Sequence, residues 1–425
     1  MQSSLPKVLH CIAGKPLLGH VIDAAMELNP SKLHIVVGHG KQQVIDTFSD
    51  ININWVEQIQ QLGTGDAVKQ AMPSIPAGAN ILMLTADVPL IQGETLALLC
   101  NSMASFPLAL LTAIMPDPTG LGRIIRDTTE SVVGIVEQKD ASVAQQQIKE
   151  INSGIMCARS DDLSKWLGSI DNHNAQAEYY LTDIVELAHA QGCQINALSV
   201  NNHTEVEGIN SRAQLARVER LYQMKKVEAL MESGVTVVDP LRLDIRGEVS
   251  VGKDTIIDIN CVIEESTIGE NGTTIHANTV IETAKLADNV SVGPFARLRP
   301  GTELSRDVKI GNFVETKNAK FAEGAKANHL SYVGDSTVGK NTNIGAGVIT
   351  CNYDGANKHQ TIIGNDVFVG SDSQLIAPVT IADGATIGAG STITNKVEKN
   401  QLAISRGRQK QIDNWHRPIK NKPNK

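Results

Sequence analysis

Aromatic rings are scarce in this chain. Phe, Trp and Tyr together make up 3% of its 425 residues. That excludes a core built on ring clusters and suits a narrow interior filled by Ile, Val and Leu. Cysteine is sparse as well. Cys11, Cys100, Cys157, Cys193, Cys261 and Cys351 show neither paired nor metal-ligand spacing. This argues against a disulfide framework or a zinc site and for a reducing compartment. No hydrophobic run approaches the ~20 residues of a membrane span. The opening stretch, MQSSLPKVLHCIAGKP, lacks the apolar core of a secretory signal. Positive charge is not in excess: the net charge of −8 argues against general nucleic-acid binding. What remains is a cytoplasmic, globular protein with neither a membrane nor a nucleic-acid partner. Its length allows two or three domains, and its 41% hydrophobic content allows a real core.

A six-residue period dominates the second half. Aliphatic residues recur at Ile363, Val369, Leu375, Ile381, Ile387 and Ile393, with Gly364, Gly370 and Gly388 directly after three of them. The same period runs through Val280, Leu286, Val292, Leu298, Leu304 and Ile310. Neither an amphipathic helix nor an alternating strand has this period. It predicts a parallel β-helix of hexapeptide repeats, each giving one short strand with its aliphatic side chain pointing inward. The period slips near Ile263–Ile275.

The first half alternates apolar strands with helices. Leu33–Gly40 and Ile81–Leu90 read as buried strands, Leu17–Leu28 and Gly65–Ala71 as helices. Such alternation predicts a parallel sheet covered by helices on both faces, with ligands at the carboxyl ends of the strands. Residues 211–234 read as one long amphipathic linker helix, with Leu215, Val218, Leu221, Tyr222 and Met231 among charged residues. The expected division is 1–210, an α/β domain; 211–234, a linker helix; and 235–425, the β-helix with a basic tail. From Arg406 onward that tail holds seven Lys or Arg and one Asp. Composition alone favours a solvated terminus over a phosphate-binding one.

Several residues carry candidate chemistry. Asp87 follows an apolar strand, where a carboxylate suits either a hard divalent cation with substrate phosphates or a turn. Gln60–Gly65 is a glycine-containing turn before a helix, suited to a base carbonyl or a phosphate. Lys7 reads as a phosphate ligand or as a surface lysine. In the β-helix, the region between the two periodic blocks is unusually polar. His329 is the best general-base candidate there, because a neutral imidazole takes a proton near pH 7. Arg299, Lys317, Tyr332 and Asn343 lie within about two coils of it and are expected on the same edge. The cations suit a sugar phosphate; the tyrosine and asparagine suit hydroxyls.

The segments LPKVLH, QLGTGDA, ADVPL, DPTGLGRI, GIVEQKDA, EINSGI, NAQAEYYLTDI and EVEGINS occur in that order. Together with the hexapeptide repeats, they resemble the bifunctional bacterial N-acetylglucosamine-1-phosphate uridyltransferase/glucosamine-1-phosphate acetyltransferase family. The resemblance covers nearly the whole chain. It implies a Rossmann-like nucleotidyltransferase domain followed by a left-handed parallel β-helix. It also implies Mg²⁺ on Asp87 and Asn210. Gln58, Gly63 and Thr64 would meet the uracil, Lys7 the phosphates, and Gly122, Glu137 and Asn152 the sugar. Thr85 and Ala86 would complete the nucleotide-sugar site. In the β-helix, the resemblance implies acetyl transfer with His329 as base. Ala346, Asn352, Tyr353, Ser371, Ala389 and Arg406 would bind acetyl-CoA, and Arg299, Lys317, Tyr332, Asn343 and Lys358 the sugar phosphate. The CoA role revises the reading of the tail for Arg406. Lys358 is expected to reach a neighbouring subunit's site. Family members are homotrimers, with these sites between β-helices.

Three departures from the family stand out. Its opening strand and loop, of the type L-A-A-G-x-G-T-R-M, has no counterpart before QSSLPKVLH, so a truncated domain with weak or no uridyltransferase activity is expected. Ala86 replaces the usual glycine. About 18 residues, close to one coil, are expected to be absent near Ile263–Ile275. Three functional readings therefore stand: an acetyltransferase with an impaired uridyltransferase, the full bifunctional enzyme, and a non-catalytic β-helix scaffold.

Overall fold

The computed structural model describes residues 1–269 and 271–418. The end of the basic tail, 419–425, lies outside the described residues. The chain divides into two compact units, Met1–Tyr222 and Gln223–Lys425. The division falls inside a long helix, α7 (Arg212–Glu232). Among the described residues, no helix is long and apolar enough to cross a membrane.

The first unit opens with a short hairpin, β1 (Cys11–Ile12) and β2 (Lys15–Pro16), and helix α1 (Leu17–Met26). Leu17, Leu18, Val21, Ile22 and Ala25 of α1 are buried, a spacing that gives a helix one apolar face. Strands β3 (His34–Val37) and β4 (Asn54–Glu57) pair in parallel, joined through α2 (Lys41–Thr47). Helix α3 (Thr64–Ala71) leads to β5 (Asn80–Met83), and α4 (Gly93–Asn101) to β6 (Leu108–Ile114). A hairpin of β7 (Arg123–Arg126) and β8 (Val132–Val136) follows, then the long β9 (Glu150–Arg159). Helices α5 (Ser160–Ser169) and α6 (Asp183–Ala190) and strand β10 (Ile195–Ser199) complete the unit.

The expected parallel sheet is corrected here. The six-stranded sheet is mixed: β10 pairs β6 in parallel, but β9 runs antiparallel to β5, β6 and β7. Strands β3 and β4 form a separate two-stranded sheet. The local cause is the β7–β8 hairpin, closed by Asp127, whose carboxylate accepts from the Thr129 and Ser131 N–H groups. A hairpin reverses the chain where a helical crossover would have kept it parallel.

The second unit is a left-handed parallel β-helix, with short strands stacked from Thr236–Val237 to Leu402–Ala403. Among the described residues, its interior is one aliphatic column with a single buried ring, Phe321. Of the positions expected to point inward, Val280 does not. Ile281 takes its place, pairing with Ile263 before it and Leu298 after it. Coils differ in length, which explains the slip. The Gln374–Thr392 step spans 18 residues, the Asn318–Asp335 step 17, and the Asn341–Asp366 step 25. Parallel ladder pairing is present at Val262–Glu264, Thr267–Ile268 and Thr274–Ile275, on both sides of the slip. Losing a whole coil would leave it so, because each coil touches only its neighbours.

Candidate functional site

In the first unit the candidates gather beyond the carboxyl ends of β4 and β5. Lys7 lies on a single 3₁₀ turn, Lys7–Leu9. Its ammonium donates to Asp87 Oδ2 at 2.5 Å and to Asn210 Oδ1 at 2.6 Å. The Ile209 N–H donates to the Asp87 carbonyl at 3.0 Å, which holds the two loops together. A carboxylate and an amide oxygen thus converge on one cationic point. Among the described residues no three His, Cys, Asp or Glu side chains cluster as metal ligands. The pair suits a hard divalent ion that completes its shell with water and phosphate.

The remaining nucleotide-sugar candidates form a continuous arc. Gln58 Nε2 donates to the Gly63 carbonyl at 3.1 Å and to Asp66 at 2.7 Å. Gly63 has φ 114°, and a Cβ there would stand 2.5 Å from the Tyr179 carbonyl oxygen. Only glycine fits this turn. Thr64 Oγ1 accepts from the Leu181 N–H at 3.1 Å, and the neighbouring Thr182 hydroxyl donates to Glu137 at 3.2 Å. Asn152 donates its N–H to the Gly122 carbonyl at 2.9 Å, and its side chain accepts from Gly154. Gly154 in turn faces Thr85, whose buried hydroxyl has no hydrogen-bond partner among the described residues. Ala86 packs with the cluster around Val37 and Val44. Burial pushes the Glu137 carboxyl up. Burial also pushes Asp183, at the start of α6, up to about 6, with help from Asp171, Glu186 and Glu137. Glu137 and Asp183 make this end of the arc acidic and reluctant to ionise.

In the β-helix the candidates fall into two groups separated by a corner. The first is a line along that corner. His329 ends the strand Lys326–His329 and stands in register with Asn312 of the coil before. Its Nδ1 lies 3.0 Å from Asn312 Oδ1. Beyond it, backbone bonds link the turn at Leu330 to Gly347, Ala346 to Asp372, and Ser371 to Gly390. Ala346, Ser371 and Ala389 therefore follow His329 one coil after another. Arg406 closes the line, donating to the Ala389 carbonyl at 2.7 Å.

The second group lies on the face after the corner. Arg299 Nη1 donates to Glu315 at 2.8 Å, and Glu315 pairs with Tyr332 in the ladder. The Tyr332 ring crosses over Gly334, where any Cβ would collide with it. Asn352 donates to Asp335 at 2.5 Å and approaches the Tyr332 hydroxyl at 3.5 Å. Lys317 is held below its ordinary pKa, first by contact with the Lys358 ammonium and then by Arg299. Three cations thus share one patch, which favours an anion. Lys358 stands near Lys317 of its own chain. Tyr353 forms a ladder bridge with Lys358 across the inserted loop.

The expectation of one shared edge is therefore corrected. Lys317 and Tyr332 belong to a different face from His329. Asn343 is in register with Lys326, three residues along the strand from the position over His329. Sequence reasoning also missed Asn312, Asp335, Asp354, His359 and Thr182. The coil spacing from His329 back to Asn312 was the available signal for the first of these.

Residues 1–120 match the MobA-like NTP transferase domain model, and residues 360–395 match six bacterial transferase hexapeptide repeats. The bifunctional protein GlmU of Marinobacter nauticus is 50% identical over 438 residues, covering 99% of this chain and 96% of that protein. The chain belongs to the GlmU family. It is a bifunctional enzyme, with an NTP-transferase unit and a hexapeptide transferase unit on one polypeptide. A purely structural β-helix scaffold is thereby excluded.

Proposed function

We propose that the second unit transfers the acetyl group of acetyl-CoA to glucosamine 1-phosphate. The first unit then transfers the uridylyl group of UTP to the resulting N-acetylglucosamine 1-phosphate, giving UDP-N-acetylglucosamine and pyrophosphate. The observation that carries this reading is the line His329–Ala346–Ser371–Ala389, closed by Arg406, beside a patch of three cations. Small residues give a thioester-bearing arm close access to the backbone, and Arg406 meets its phosphates. Arg299, Lys317 and Lys358 take the sugar phosphate, and Tyr332 and Asn343 its hydroxyls. His329 Nε2 accepts the amine proton as the nitrogen attacks the thioester carbonyl; the carbon–sulfur bond then breaks, and CoA leaves as the thiol, taking that proton. Asn352 and Tyr353 line the same approach.

In the first unit, Asp87 and Asn210 are the proposed Mg²⁺ ligands. When bound, the ion neutralises charge on the UTP phosphates. Lys7 adds its own positive charge there. Gln58, Gly63 and Thr64 bind the uracil; Gly122, Glu137 and Asn152 bind the sugar, and Thr85 and Ala86 complete the nucleotide-sugar site. Positioning supplies most of the rate, as phosphoryl transfer needs little covalent chemistry from the protein.

The assembly we propose is a cytoplasmic homotrimer formed through the β-helix. Phe295 and Phe313 support it: both are exposed, and their rings stack 5.4 Å apart on the corner that carries His329. Leu330, 60% exposed, extends that apolar ridge. The test is to assay the two half-reactions separately. CoA release from acetyl-CoA and glucosamine 1-phosphate, and pyrophosphate release from UTP and N-acetylglucosamine 1-phosphate, are both expected, because the match over 99% of the chain favours the full bifunctional reading over the impaired uridyltransferase expected from the sequence. Absence of the first would overturn the reading of the β-helix; absence of the second would overturn that of the first unit alone.

A further inference from the structure

The coil that carries Asn352 is longer than its neighbours because a loop leaves the prism between Cys351 and Thr361. This loop is not slack. The Asp354 carboxylate accepts from the Ala356 N–H at 2.8 Å, the Asn357 N–H at 2.6 Å and His359 Nε2 at 2.7 Å. The Asn357 carbonyl accepts from the Asp354 N–H at 3.1 Å, and the Asn352 carbonyl from the His359 N–H at 2.8 Å. The Tyr353 hydroxyl donates to the Gly355 carbonyl at 2.6 Å. Lys358 sits between these anchors, opposite Tyr353. Its ammonium is near enough to that of Lys317 to hold the Lys317 pKa below its ordinary value.

Two neighbouring ammonium groups repel, so an unanchored loop would carry Lys358 away. We infer that Asp354 and His359 form a clasp that holds Lys358 against Lys317, which makes His359 a positioning residue for the anionic end of the acceptor. This rests on the acetyl-transfer reading of the cation patch. Two adjacent ammoniums are matched by a phosphate dianion, which replaces their repulsion by two charge-assisted bonds. The clasp keeps the pair together before the anion arrives, so less ordering remains for binding. Asp354 is well prepared for the role. The Asn357 N–H, then His359 and the Ala356 N–H, hold its carboxyl far below the usual range, so it stays an acceptor.

The experiment uses the full chain and four variants: His359→Ala, His359→Gln, Lys358→Ala, and the double alanine variant. His359→Ala is expected to raise KM for glucosamine 1-phosphate about tenfold with kcat little changed, the size of one charge-assisted bond. His359→Gln keeps an N–H donor and is expected to recover most of that loss. The double variant is expected to be no worse than Lys358→Ala. Backbone hydrogen exchange over 352–360 is expected to quicken in His359→Ala. Unchanged exchange would overturn the clasp whatever the site does. Additive KM effects would show that His359 acts apart from Lys358 and overturn the positioning role. An unchanged KM in Lys358→Ala, with exchange in His359→Ala behaving as expected, would instead overturn the acceptor reading, and the positioning role with it.

Discussion

Replacing Asn312 should slow acetyl transfer without weakening substrate binding. The Asn312 amide oxygen lies 3.0 Å from His329 Nδ1. As an acceptor it places the ring proton on Nδ1 and leaves the Nε2 lone pair free to act as base. In the ground state this is a neutral hydrogen bond, worth about 0.5–1.5 kcal/mol net. When Nε2 takes the substrate proton, the ring becomes cationic and the same bond becomes charge-assisted, worth about 1.5–3 kcal/mol. The difference, about 1–1.5 kcal/mol, exists only as the proton moves, so it appears in kcat. Asn312→Ala should therefore lower kcat about tenfold with KM nearly constant. His329→Ala should lower kcat by about 10²–10⁴, the usual worth of a general base.

A second substitution separates orientation from simple packing. Asn312→Asp puts a carboxylate beside the imidazole and stabilises its cationic form. The acid limb of the kcat profile should move to higher pH, whereas Asn312→Ala should lower the whole profile. Thiol release from acetyl-CoA, followed across pH with saturating glucosamine 1-phosphate, reads both effects. The double variant Asn312→Ala with His329→Ala should be no slower than His329→Ala, since Asn312 acts through the histidine. A kcat for Asn312→Ala within about twofold of the parent, or a further loss in the double variant, would refute the reasoning.

Three more outcomes follow from packing and charge. Gly370 lies under the next coil, where a Cβ would stand 2.5 Å from the Ala389 nitrogen and 2.7 Å from the Ile387 carbonyl oxygen. Gly370→Ala should cost about 1–3 kcal/mol and lower the melting temperature by about 2–4 °C per kcal/mol, whereas Gly168→Ala, in α5 with open space around it, should be neutral or stabilising by calorimetry. Asp183 has its folded pKa pushed up to about 6 from an ordinary 3.8. The folded chain therefore holds this proton more tightly than the unfolded chain, and stability falls as pH rises between those values. Asp183→Asn should be more resistant to urea than the parent above pH about 6, with the gain vanishing below about 4; parallel curves would refute this. The Cys157 thiol hydrogen-bonds to Cys100 and holds the Cys100 pKa below its ordinary value, while burial raises those of Cys11, Cys261 and Cys351. Iodoacetamide should therefore label Cys100 ahead of the exposed Cys11, as read by peptide mass spectrometry.

The β-helix was legible because its rule is local. Each inward position must be aliphatic whatever the neighbouring coil does, so the period survives in the sequence. Its phase is less legible. One omitted residue in a coil moves the inward position from Val280 to Ile281 without disturbing the pairing. Strand direction in the first unit was not legible either, because an apolar run reads the same in parallel and antiparallel pairing. The antiparallel course of β9 depends on a hairpin whose turn, at Asp127–Ser131, has no glycine to mark it. Lys7, Asp87 and Asn210 meet across separations of 80 and 203 residues, which no spacing argument reaches. Only the resemblance drew them together.

The corner at Leu330 is where linear spacing misled most, and it also bears on the assembly. Counting coils placed Lys317, Tyr332 and His329 within one or two steps of each other. Coil counting fixes height along the prism but not the face, and here the two groups stand on neighbouring faces either side of a corner. His329 looks out from one and the cation patch from the other. A sugar phosphate held by Lys317 and Lys358 must still present its amine to His329. On the proposed reading, a second β-helix laid against this corner supplies the missing wall. The corner is dressed for that contact: Phe295, Phe313 and Leu330 expose large apolar surfaces at successive turns. Burying such surface is worth roughly 25 cal/mol per Å². On that reading assembly and catalysis share one edge, and the ridge proposed to draw two copies together would also close the site.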